Sequence, residues 1–472
     1  MNRKKKLLGL LMLILIIGLT GCVTPEKELT STSSSTPSPK PISTPTPTPE
    51  VVRLRTYVRY IEPYPLAFYN AFYESKIPDI TFKVYNLMNY PIAVKLTSEY
   101  QGISYRTITT ETIMPRETKT INQTIQLIKE KIDRIKTKTK VSLHYKIEYK
   151  KNNKWNIWDE KTVMVDVYPK DTMVWALRDK EGNYYPLYNF IAVFVTPKVD
   201  KVQELLSIAK EYHPKRSLAG YQSDVLSQIE AIYYALQKHY RVSYVSTPIA
   251  FGKDEVQKVR LPKESLYLSS ANCIDGAVLF ASAIEALGMK PYIVIVPNHA
   301  FVAWYDVDKD AIYALETTKV GQIKREKGWD LIYDEYKVIK DGYKFSLGGF
   351  ESGYYKISLS SDVGVEPAIL TDRGYLYKSD TEYVKWYKEL DISSGSVLEI
   401  TNPTIFGLGK SANVHVVIYK FHPREYYSFE DAFNLGLEEL NQYWDALTDD
   451  NPWNGIIVDV KAMHDAGVLP ME

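Results

Sequence analysis

Two cysteines in 472 residues are too few for a disulfide framework. One of them, Cys22, stands in the amino-terminal segment, which leaves Cys273 without an evident partner. Charge of one sign is equally scarce. Lys and Arg number 58 against 57 Asp and Glu, a formal net charge of +1, and no uninterrupted basic tract follows Lys6. That balance removes nucleic acid from the expected partners. Long apolar runs are lacking too: Leu7 to Thr20 is 14 residues, short of the roughly 20 needed to cross a bilayer core as a helix. No Cys/His cluster has metal-ligand spacing, and no glycine-rich phosphate loop is convincing, so no metal and no cofactor are expected.

The amino terminus does carry a signal. Arg3 and Lys4 to Lys6 form a basic region ahead of the apolar run, and "LTGC" closes it at Cys22. This resembles the lipobox of lipoproteins, which implies cleavage after residue 21 and a lipid-modified Cys22; an uncleaved anchor is the alternative. Residues 22–50 are Ser/Thr/Pro-rich, with "TSTSSSTPSPKPISTPTPTPE", and read as an extended tether unable to bury a core. The expected location is the cell membrane, lipid-anchored and facing outside the cytoplasm. The chain beyond the tether is too long for one core and suggests about three domains.

From residue 51 to about 170 the text alternates as strands do: "ITFKVYNL", "IAVKLTSEY", "VSLHYKIEYK", "KTVMVDVYP". "KIPDITFKVYNLMNYPIAVKL" resembles the immunoglobulin-like modules of exported proteins, which implies a β-sandwich. "TIQLIKEKIDRIKTKTK" reads as a short helix or a strand pair. Asn122 opens a glycosylation sequon, Asn-Gln-Thr, in what reads as an exposed loop. Over 171–342 helical spacing in "KVQELLSIAKEY" and "SDVLSQIEAIYYALQKHY" gives way to apolar strands, an α+β pattern. Residues 343–425 suggest a second β-sandwich, and 426–472 an amphipathic helix with a tail. The 38 tyrosines fit half-buried strand positions.

"ANCIDGAVLFASAIEALG", residues 271–288, places Cys273 where a helix begins. Ser269, Ser270 and Asn272 are all good N-caps, Asp275 suits the first turn, and Gly288 is a natural stop. Ala277, Phe280, Ala281, Ile284 and Leu287 form its expected buried stripe. A thiol at a helix start sits among free N–H groups that favour the thiolate. A lone cysteine in an apolar helix is ordinarily just a small hydrophobe; a histidine and a carboxylate nearby change that balance. His299 begins the strand "HAFVAWYDV", and the chain returns as "AIYALETT". With a two-residue turn at Asp308-Lys309, His299 and Glu316 share one face as opposite or diagonal neighbours. Asp306, Asp308 and Asp310 mimic a calcium loop without its glycine or closing glutamate, and read as a solvated hairpin tip.

The stretch "NCIDGAVLFASAIEALGMKPYIVIVPNHAFVAWY", with "YALETT" after it, resembles the transglutaminase-like superfamily, relatives of papain-type cysteine enzymes, over about Ala192 to Thr318. The family pattern runs Gly-Asp/Asn-Cys, a helix ending Ala-Leu-Gly, a His-Ala-Phe/Trp strand, then Asp-x-Thr. The resemblance implies an α+β fold, with a central transglutaminase-like (papain-like) domain flanked here by β-sandwich modules. It implies a cysteine hydrolase or acyltransferase acting on amide bonds of envelope peptides or proteins, with Cys273 as nucleophile, His299 as general base and acid, and Glu316 as the orienting carboxylate. Two positions depart from the pattern: Glu316 replaces the usual Asp, and Ala271 the usual Gly. Gln257 and Ser269 are the sequence's candidates for an oxyanion side chain. A binding module of this fold without turnover, recognising a peptide, protein or glycan surface, and a solute-capturing lipoprotein are the rival readings.

Overall fold

The computed structural model describes residues 51–179, 182–247, 249–403 and 409–471. The expected signal, Cys22 and the whole tether lie outside the described residues. Alternation of apolar and polar residues produces the strands of the first layer: β1 (Leu54–Tyr60), β2 (Ile80–Asn86), β3 (Ile92–Tyr100), β4 (Thr107–Ile113), β5 (Thr118–Gln123), β6 (Thr139–Lys151) and β7 (Lys154–Tyr168). They form two sheets, β1-β2-β5 and β7-β6-β3-β4, the second edged by the short strand Tyr64–Pro65. Phe82 and Val84 of one sheet and Leu96, Leu143, Ile147 and Val165 of the other close a shared core. In the stretch read as helix or strand pair, Lys129–Ile132 forms a single helical turn. Asn122 is exposed, but it sits on β5 rather than in a loop, with its Oδ1 accepting from Thr81 Oγ1 at 3.0 Å.

Four helices then gather around a second, larger core: α1 (Asp200–Ala209), α2 (Val225–Tyr234), α3 (Pro262–Leu268) and α4 (Cys273–Ala286). The α4 sequence has no polar side. Every residue from Cys273 to Ile284 is buried, so the expected stripe is replaced by burial all round, as befits a helix apolar on every face. Against it lies an antiparallel sheet of β8 (Pro291–Val296), β9 (His299–Asp306) and β10 (Ala311–Leu315).

After Val320 the chain leaves this unit. Gly321–Ser428 form a second compact unit, and Phe429 returns to the first. The second unit is β-rich, built on β11 (Gly328–Ile339), β12 (Gly353–Thr371), β13 (Tyr383–Ile392) and β14 (Ala412–His422). Because β11 pairs along its length with β14, the expected boundary at 342/343 falls inside this unit; that long-range pairing has no local sequence mark. The expected terminal helix and tail likewise do not stand apart. Helix α5 (Phe429–Gln442) packs on β10, and β15 (Ile456–Asp459) joins the central sheet antiparallel to β8. Four residues, "IIVD", are too few to announce such a strand.

The central sheet is therefore covered on both faces. Ala300, Val302 and Trp304 share a core with α4, while Phe301, Ala303 and Ala314 share one with Leu440 of α5. His299, the first residue of β9, sits at the strand end that both helices reach.

Candidate functional site

Asn272 caps α4. Its Oδ1 accepts from Asp275 N at 2.9 Å and Asp275 Oδ2 accepts from Asn272 N at 3.3 Å, a reciprocal capping box. Asp275 Oδ1 also accepts from Arg260 N at 2.8 Å. Burial raises the Asp275 carboxyl and outweighs those backbone hydrogen bonds. The cap fixes the first turn, and with it Cys273, which is 2% exposed. Ser269 instead ends α3 in the left-handed region, at φ 49°. Gln257 spends its amide on Ala250 N and the Lys258 carbonyl. Neither candidate for an oxyanion side chain has a hydrogen bond directed to the site.

Gly276, one turn after the capping residue, determines how closely the next element approaches. A Cβ there would stand 2.8 Å from Thr317 Oγ1 and 3.2 Å from Thr317 Cβ. With only a hydrogen, the helix lets the turn carrying Glu316, Thr317 and Thr318 lie against it. Glu316 comes directly after β10, whose register pairs Ala303 with Ala314 and Asp306 with Ala311. That parity puts His299 and Glu316 on one face. The hairpin tip between β9 and β10 is closed by Asp306 Oδ1, which accepts from Asp308 N and Lys309 N at 3.0 and 3.2 Å.

His299 Nε2 lies 2.5 Å from Glu316 Oε2. Glu316 Oε1 is held separately, accepting from Thr318 N at 2.8 Å and Thr318 Oγ1 at 2.6 Å. The two oxygens thus divide the work, one anchoring the carboxylate and the other holding the ring. The Cys273 side chain also acts on this imidazole and favours its charged form. Burial opposes charge on the ring, but its contacts with Cys273, Glu316 and Glu439, together with the Glu316 charge, prevail and push it up to about 12. Burial likewise opposes charge on Glu316, and the His299 and Thr318 hydrogen bonds overcome it and lower the carboxyl. Both shifts favour a charged ring facing a charged Glu316.

Glu439, from α5, is the residue that sequence reasoning missed. Its Oε2 lies 3.3 Å from His299 Nε2. The signal was present: Phe429, Ala432, Gly436 and Leu440 mark the inward stripe of the helix, and Glu439 borders that stripe. What brings the helix in is Gly436, where a Cβ would stand 2.7 Å from backbone atoms of Ala314 and Leu315. The Ala432 carbonyl accepts from Glu316 N at 3.0 Å, tying helix to strand at the site itself. Burial and the neighbouring Glu316 charge raise the Glu439 carboxyl against the pull of His299.

One histidine and two carboxylates also make a metal donor set, with ligand atoms within 4.8 Å of one another. Beside the start of α4 runs a groove of about 810 Å³, lined by Thr247, Arg260, Tyr267, Leu268, Asn272 and Asp275 among others.

No family model and no curated protein matches the chain. Among solved structures it is weakly similar to red sea bream transglutaminase, at 7% identity and a TM-score of 0.16, over 74% of this chain and 80% of that one. A cycloisomaltooligosaccharide glucanotransferase from Paenibacillus has a TM-score of 0.14 at 8% identity, over 78% and 72% of the two chains. The Bacteroides uniformis beta-glucuronidase 2 has a TM-score of 0.15 at 6% identity, over 78% and 80%. Scores this low carry no argument about fold or function. The geometry of His299 and Glu316 stands on its own.

Proposed function

We propose that the chain is a transglutaminase-like cysteine hydrolase or acyltransferase that acts on amide bonds of envelope peptides or proteins. The observation that carries this reading is the convergence of Cys273, His299 and Glu316 from a helix start, a strand start and a turn. In the first step the Cys273 sulfur attacks the amide carbonyl carbon. The helix-start N–H groups face the developing oxyanion, and His299 gives its proton to the departing amine. Water or a second amine then attacks the thioester, returns a proton to His299 and releases the sulfur. Glu316 holds the ring through Nε2 throughout.

The test is direct. A pool of peptides is incubated with the protein, quenched in acid and analysed by mass. The wild type is expected to carry an acyl adduct on Cys273 and to release amines, and a Cys273→Ala variant to do neither. The burial of Cys273 favours a second reading, a binding module of the same fold. Peptides that bind while neither they nor the protein change mass would establish that one instead.

The location belongs to the same proposal. The "LTGC" signal supports a protein held at the membrane by lipid on Cys22, its tether presenting the folded body outside the cytoplasm. Intact mass of membrane-extracted protein is expected to show a lipid-bearing chain that begins at Cys22. A chain that retains Met1 to Gly21 would instead mean an uncleaved anchor.

A further inference from the structure

The geometry points to Glu439 as a second positioning residue: a carboxylate delivered by the carboxy-terminal helix that clamps His299 Nε2 together with Glu316. This rests on reading Cys273 and His299 as the reacting pair. Three observations along α5 support it. Gly436 lets α5 lie directly against the β10 backbone, so the position of Glu439 is set by backbone packing. The Glu316 N to Ala432 carbonyl hydrogen bond locks the same helix to the residue whose carboxylate it joins. Finally, the ion pair that Glu439 makes among the described residues is with His299, whose side chain is 24% exposed against 31% for Glu439.

The division of labour comes from the distances. Nε2 carries one proton, and Glu316 at 2.5 Å takes that hydrogen bond. Glu439 at 3.3 Å adds charge more than a hydrogen bond. An opposite charge within about 4–6 Å favours the charged form of the ring, so Glu439 makes His299 hold its proton more tightly and face the sulfur in one orientation. The groups facing the ring are Cys273 from α4, Glu316 from the end of β10 and Glu439 from α5; Tyr233 of α2 stands near Glu316. The site is also bracketed in sequence, because Glu316 precedes the inserted unit and Glu439 comes after it. The carboxy-terminal segment is thus part of the reacting centre rather than an appendage.

The test titrates the ring itself, independently of turnover. Full-length mature protein in detergent, labelled at histidine with carbon-13, is followed by NMR across the alkaline range. The measurement is made in a Glu316→Gln background, which brings His299 down into that range. Adding Glu439→Gln is expected to lower the His299 midpoint by about one further pH unit. Glu438→Gln, the exposed neighbour on the same helix, is expected to leave it unchanged, and Glu439→Asp to recover part of the shift. Identical midpoints with and without Glu439→Gln would overturn the proposal, because a residue that only packs the helix has no effect on the ring's proton affinity. If no peptide is ever processed, the proposed activity falls, yet a shifted midpoint would still establish the second clamp.

Discussion

Replacing His299 by alanine is expected to reduce amide turnover by on the order of 10²–10⁴-fold, the usual contribution of a positioned acid and base. The same change is expected to slow alkylation of Cys273 by iodoacetamide in the native protein, because the sulfur loses the imidazole that acts with it. Peptide mapping identifies Cys273 as the site of attachment. The variant also removes the partner of Glu316, whose side chain is 3% exposed. Breaking a buried pair from one side costs about 3–5 kcal/mol, so the experiment needs a variant that stays folded. His299→Gln retains a donor toward Glu316 but cannot shuttle a proton. It is expected to regain stability without regaining turnover. Labelling of Cys273 only after the wild type is unfolded would sink the catalytic reading, and so would turnover in His299→Gln equal to that of wild type.

The site was legible in the sequence wherever chemistry was written locally. Asn272 and Asp275 announced the helix start, and Gly288 ended it at φ 75°. Hairpin parity put His299 and Glu316 on a common face, and the register keeps that parity. The illegible part depended on residues far apart in the chain. Glu439 lies beyond an entire inserted unit from His299, and nothing local says that α5 returns to β10. Nothing local distinguishes Gly436 and Gly276; only the close approach of Leu315 and Thr317 explains them. The same limit applies to the start of the β-rich unit, since only the pairing of β11 with β14 shows that residues ahead of 343 belong to it.

Changing Glu316 to glutamine is expected to cost turnover on the order of 10³–10⁴-fold, the scale seen when the orienting acid of a catalytic triad becomes an amide. Here the cause is specific. Glu316 Oε1 is fixed by Thr318, so only Oε2 reaches the ring. An amide there either offers its nitrogen to Nε2 or gives up a Thr318 contact. The effect on stability has a defined pH window. His299 is raised from 6.5 to about 12, so its contribution is complete below 6.5 and erodes as pH climbs toward 12. Glu316 is lowered from 4.5, so its contribution is complete above 4.5 and is lost as pH falls through the folded value. The stability gap between wild type and Glu316→Gln should therefore be widest between about 4.5 and 6.5 and narrow on both sides. Denaturant unfolding of both proteins across that range measures it, and a gap independent of pH would separate Glu316 from the charge on His299. Glu316→Asp sharpens the reading. It keeps the charge but is one methylene shorter, and in this site a shorter acid cannot both hold Thr318 and reach Nε2. It is expected to restore most of the pH dependence but only part of the turnover, because charge on the ring needs proximity while orientation needs reach.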